Sequence, residues 1–189
     1  MKVELSGLDA VLNQLNNLGK EGDKIAREAA TRAATLVRQN FLVGLISEQT
    51  GISRSVIMRY TYIKRATPKY EHARINFSGA GIEVGEYRYQ IKKLDATRAQ
   101  ILVDWLGGMK IAAGFVNPSS KNKHPLRTRS HKTSRNGKSY TYGTGLEHAL
   151  GPSIATAYLA IPSQAIDREA QKFLGEELIN MLDDLLGDE

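Results

Sequence analysis

The spacing of apolar side chains changes twice along this chain, and those changes restrict the folds open to it. From Asp23 to about Ser47, Ile25, Ala29, Ala33, Leu36, Val37, Asn40 and Phe41 trace one face of a 3.6-residue period. Alanines at 26, 29, 30, 33 and 34 permit close packing. The pattern predicts one long helix, with Gly44 fraying or kinking its end. From Ala73 the period becomes two: Ala73, Ile75 and Phe77 alternate, Gly79 and Gly81 suggest a turn, and Ile82 and Val84 alternate again. That is a hairpin signal. From Ile154 the spacing is helical once more. A helix runs toward Pro162, and Ser163 caps another with Ile166, Ala170, Phe173, Leu174, Leu178, Met181, Leu182 and Leu185 along one face.

Shorter signals fill the gaps. Val3 and Leu5 suggest an opening strand, and Leu8, Val11, Leu12, Leu15 and Leu18 a first helix. A basic helix is expected over Ser53 to Tyr60, capped by Thr50 or Ser53, and Pro68 ends the segment after it. Ala99 to Leu106 and Lys110 to Val116 read as strands around Gly107-Gly108, and Lys138 to Tyr142 as another strand after the Asn136-Gly137 turn. Residues 117 to 136 have loop composition. The expected fold is α+β: long N-terminal and C-terminal helices packed on a small antiparallel sheet of about four strands, with a long basic hairpin loop. One domain is expected over 1–189, with 117–138 as the extended basic loop; no internal repeat is visible.

Charge is unevenly placed. The formal net charge is +6, yet no acid lies between Asp104 and Glu147. Lys121, Lys123, Arg127, Arg129, Lys132, Arg135 and Lys138 crowd into that window. The last 23 residues reverse the sign, with eight acids against Arg168 and Lys172. Such asymmetry suits head-to-tail contact between copies as well as contact with a polyanion. The basic stretch admits three readings: a solvated loop, a surface for DNA phosphates, or a segment that orders against a neighbouring subunit. With no cysteine there is neither a disulfide frame nor a thiolate metal site. MKVELSGLDA lacks the apolar run of a signal peptide, and no stretch reaches the ~20 apolar residues of a membrane span. A protein kept in a reducing cytosol, or in a particle assembled there, is expected.

No catalytic constellation is evident. His72, His124, His131 and His148 are not at ligand spacing, and two lie among cations that repel a metal. Glu147 beside His148 points away from it on a helix or a strand. Gly79, Gly81 and Gly85 precede a strand, not a helix, which favours a hairpin turn over a dinucleotide fingerprint. An enzyme is not expected, nor any cofactor or metal. Tyrosines recur as Tyr-x-Tyr at 60/62, 87/89 and 140/142, each near a cation. They fit a base-stacking platform or ordinary cross-strand pairing. Trp105 suits a core or interface anchor. By charge and aromatic character, Arg54, Arg59, Lys64, Arg65, Trp105, Tyr140 and Tyr142 are the candidate interface residues.

The order of these features resembles the minor tail protein Z (tail completion) family of tailed bacteriophages. SGLDAVLNQLNNLGKE is similar to the family's opening before its alanine-rich helix. TGISRSVIMRYTYIKRATPKYEHARINFS resembles its basic helix, Lys-Arg-Ala-Thr turn and Ala-Arg-Ile strand. KIAAGFV resembles its central strand before a basic loop, and LGPSIATAYLA its entry to the closing helices. Together these cover most of the chain, while the acidic final helix departs from the basic residues of some members.

The resemblance implies a virion structural protein, not an enzyme. It would sit at the head-proximal end of the tail and help join tail to head. A homo-oligomeric ring of about six copies around the DNA channel is implied. So are contacts with the tail tube or tail terminator protein and with head connector proteins. DNA would pass without sequence specificity, and no membrane is involved. On this view the seven cations of the loop face DNA or grip a neighbouring protein. The alternative reading is a non-sequence-specific nucleic-acid-binding module.

Overall fold

In the computed structural model the described residues are 13, 15–70, 72–94, 99–116, 124–132 and 140–187; for 128–132, 140–144 and 186–187 the backbone alone is described. Helices α1 (Lys20–Leu36), α2 (Val43–Thr50) and α3 (Arg54–Arg59) come first. Strands β1 (Thr61–Lys64) to β10 (Leu150–Ser153) come next, and α4 (Ile154–Leu159) and α5 (Ser163–Gly187) close the chain. Every strand pairing is antiparallel. The architecture is α+β. The described elements cluster into two compact units, one from the described parts of Met1–Leu45, Met58–Phe77 and Tyr158–Glu189, the other from Ile46–Ile57 and Ser78–Ala157.

The first unit is built on α1 and α5. Glu21 and Asp23 lie in the first turn of α1, where carboxylates favour free backbone N–H groups. Ile25 and Ala29 from α1 bury against Leu178 and Leu182 from α5, together with Leu15. The two helices run antiparallel: Arg32 reaches Glu177, whereas Glu21 and Lys24 share a small cavity with Asp184 and Leu185. Gly22 is buried because a Cβ there would sit 2.0 Å from the carbonyl oxygen of Leu15. Beyond Leu36 the helix continues as a π segment, Val37–Leu42, in which the N–H of Val43 donates to the carbonyl of Arg38. The expected irregularity therefore falls before Gly44. β1 pairs with β2 (Arg74–Phe77), and Phe77 stacks on Tyr158 with ring centroids 4.2 Å apart.

The second unit holds the remaining strands. β4 (Tyr89–Lys93), β5 (Ala99–Trp105) and β6 (Gly108–Ala112) form one sheet; β7 (Phe115–Val116), β8 (Pro125–Lys132) and β9 (Tyr140–His148) form another. β3 (Gly81–Glu83) pairs with β10. The β5–β6 turn puts Leu106 and Gly107 at φ 51° and 78°, a two-residue connection of the kind that matches strand twist. Ile101, Val103 and Ala112 are buried on one face of the β4–β6 sheet. Ile82, Val84, Ile154 and Ala157 are also buried in this unit. Ser53 caps α3 by accepting from the N–H of Val56, as its position suggests. Thr50 instead donates to Ile46 and accepts from Ile52.

Four expectations change. The hairpin over 73–84 does not form, because β2 and β3 pair with β1 and β10 respectively. Gly81 serves close approach rather than a turn: a Cβ there would lie 3.0 Å from both the Gly151 carbonyl oxygen and the Leu150 side chain. Residues 125–132, expected within a loop, are strand, since a ladder satisfies backbone groups whatever the side chains. The strands number ten among the described residues and occupy four sheets, not one. Lys110 to Val116 breaks into β6 and β7 at Gly114, where a Cβ would stand 2.7 Å from the Leu126 carbonyl oxygen. The opening strand at Val3 and Leu5, Leu8, Val11 and Leu12 of the first helix, and the Asn136-Gly137 turn lie outside the described residues.

Candidate functional site

The first unit carries a groove of about 770 Å³ along the polar side of α1, facing β1 and the residues after it. Lys24, Arg27, Thr31 and Arg38 line it from the helical side, Tyr62 and Arg65 from the other. With Thr35, which also lines the groove, these helical positions recur every three or four residues, so they form one stripe. Arg38 is the structural member. Its Nε donates to Thr61 Oγ1, and its guanidinium also donates to the carbonyls of Met58 and Thr61, each at 2.9 Å. The π segment is what places this residue opposite the start of β1. Thr31 Oγ1 accepts from the N–H of Ala66 at 3.2 Å, closing the far end.

Charge in the groove is not balanced. Arg32 holds Glu28 at 2.9 Å and Glu177 at 3.8 Å. Lys24, Arg27 and Arg65 make no ion pair among the described residues, and Arg38 spends its donors on neutral oxygens. Arg65 was expected at an interface on charge alone; α1 supplied the rest of the site. The spacing of Lys24, Arg27, Thr31 and Arg38 was visible in the sequence. The strand that completes the groove was not.

The second unit offers two further surfaces. Along the extended run from Gly108 to Val116, the alternate residues Met109, Ile111, Ala113 and Phe115 are all exposed, Ile111 at 61%. Half-buried Leu102 pairs with Ile111 and so shares its face. On β9, Leu146 is exposed at 58%, on the same face of its sheet as Phe115. The other surface is the paired β8–β9 ribbon that carries the basic stretch. Arg127 donates to Glu147 across the strands at 2.9 Å, a cation already matched by an acid. Its Nε is buried without a hydrogen-bond partner.

The other expected residues scatter. Arg129, Lys132, Tyr140 and Tyr142 belong to this ribbon, where only the backbone is described. Lys121, Lys123, Arg135 and Lys138 lie outside the described residues. Arg54 and Arg59 are exposed at opposite ends of α3, and Lys64 is exposed on β1. Trp105 is half-buried at the end of β5, tilted against Tyr87 at 6.3 Å, with Lys110 Nζ 5.6 Å from its ring centroid.

No family model matches this chain, and no curated protein or solved structure is significantly similar to it. Among the described residues no group of three or more His, Cys, Asp or Glu could hold a metal ion. His124 and His148 do meet edge to face at 6.4 Å, a proximity that β8–β9 pairing creates. No helix among the described residues is long and apolar enough to cross a membrane. The groove, the apolar row and the basic ribbon offer charge and apolar contact area, which are the means of binding a partner.

Proposed function

We propose that this protein is a virion structural protein at the head-proximal end of a phage tail. It completes the tail for head joining by forming a homo-oligomeric ring around the DNA channel. The observation that supports the reading is the exposed apolar row Met109, Ile111, Ala113 and Phe115. Ala112 is buried between them, so this run turns one side to the core and leaves an apolar row on the other side, a second surface to cover. Assembly beside other subunits covers it. The basic ribbon and the sequence resemblance support the same reading, with the channel DNA held through charge and without sequence choice. Tail tube or terminator and head connector proteins are the neighbours this placement implies.

The second reading, a non-sequence-specific nucleic-acid-binding module, draws on the same cations. Negative-stain microscopy of purified protein, together with particles assembled without it, separates the two. Rings, and tails that never acquire heads, are the expected result. Compact monomers that shift DNA at low salt and release it steeply as salt rises would overturn the proposal in favour of the alternative.

A further inference from the structure

The α1 groove gathers Lys24, Arg27, Arg32, Arg38 and Arg65 against one lining carboxylate, Glu28, with Glu177 reaching Arg32 from α5. Cations this close repel one another within a Debye length of about 8 Å, so the arrangement calls for an anion beside it. Four of the five are arginines, whose planar forks match carboxylate or phosphate oxygens in pairs. Among the described residues no helix N-terminus or glycine-rich loop opens into the groove to cradle a phosphate; side chains of a helix flank and a strand line it. One carboxylate series of matching dimension is carried by the chain itself. After Lys172 the sequence has Glu176, Glu177, Asp183, Asp184, Asp188 and Glu189 and no further cation. Glu176, Asp183 and Asp184 are exposed on α5. Glu177 shows the chemistry in miniature, its carboxylate already set beside Arg32 at 3.8 Å.

From this we infer that the groove between α1 and β1 receives the acidic end of α5 from a second copy of the chain. The basic stripe from Lys24 to Arg38 is roughly 20 Å long at 1.5 Å per residue, enough for three turns of a docked helix. Exposed Tyr62 and half-buried Ile63 add apolar surface for Ile179, which is exposed on α5 between Glu177 and Asp183. Each copy donates an acidic end and receives another, so the contact is head-to-tail and propagates around a ring. The inference rests on the assembly reading and names one contact within it.

Charge exchange tests it. Sedimentation velocity at low salt compares the wild type with Arg27→Glu/Arg65→Glu, with Asp183→Arg/Asp184→Arg, and with an equimolar mixture of the two. A milder pair, Arg27→Gln/Arg65→Gln, guards against loss of the fold, which circular dichroism checks. Each double variant is expected to self-associate roughly tenfold more weakly, and the mixture to recover association. Undiminished association of both groove variants would overturn the contact while leaving the assembly reading standing. A wild type that stays monomeric would overturn both. The remaining arm titrates single-stranded DNA: a groove that binds it, with binding lost in the groove variants and no change in the Asp183/Asp184 variant, assigns the cations to nucleic acid instead.

Discussion

Arg38 shows how one side chain can join two elements that the sequence keeps apart. Its guanidinium supplies three hydrogen bonds to Thr61 and Met58, and Thr61 is buried. Water cannot replace the bond to a buried hydroxyl without cost, and bonds to a charged donor are stronger than neutral ones. Arg38→Met keeps the stem and removes the donors. It is expected to destabilise the protein by roughly 2 kcal/mol in urea titration, below the sum of three charged hydrogen bonds because the Met58 carbonyl also accepts from Thr61 Oγ1 and contributions within one network are not additive. A loss under about 0.5 kcal/mol would show that β1 holds its place without this anchor. The cross-strand pair Arg127–Glu147 is a weaker case, since both side chains are over a third exposed and solvent screens them.

At the scale of elements, the contact between the turn at 15–17 and α1 depends on a missing side chain. Gly22→Ala sets two effects against each other. Alanine is the better helix former by about 1 kcal/mol. Its Cβ, however, would sit 2.0 Å from a backbone oxygen that cannot rotate away. Overpacking of this kind costs about 1–3 kcal/mol, so it wins, and a lower melting temperature is expected. Gly85→Ala is the control: nothing lies within 4 Å of its Cβ, and its stability should stay within about 0.5 kcal/mol of wild type. Thermal unfolding followed by circular dichroism reads both. Equal behaviour of the two variants would mean that the helical turn moves freely away from α1.

At the scale of the whole molecule, the exposed row on β6 and β7 separates folding from assembly. Ile111 is 61% exposed, so Ile111→Glu removes little from the folded chain, and stability is expected within about 0.5 kcal/mol of wild type. In an assembled interface the same carboxylate would be buried without a partner, which is strongly unfavourable. Sedimentation should then show dissociated subunits that remain folded. A variant that unfolds instead would mean that the row is covered within the chain.

Much of the helical frame was legible because a 3.6-residue apolar repeat forces one face inward whatever the partner. Asp23 to Ser47 and Ile166 to Leu185 are helical for that reason, and Ser53 caps α3 with its hydroxyl, which accepts from the N–H of Val56 three residues on. The α+β class came from the change of period. Strand partners did not, because a period of two says which side of a strand is buried but not which strand lies beside it. β2 found β1, β3 found β10, and the polar run 125–132 became strand through backbone pairing that leaves no mark in composition. The basic stretch and the acidic end were plain in the sequence as charge. That Lys24, Arg27, Arg38 and Arg65 line one groove was decided only in three dimensions, where a π segment and a strand edge bring together residues that local periodicity cannot relate.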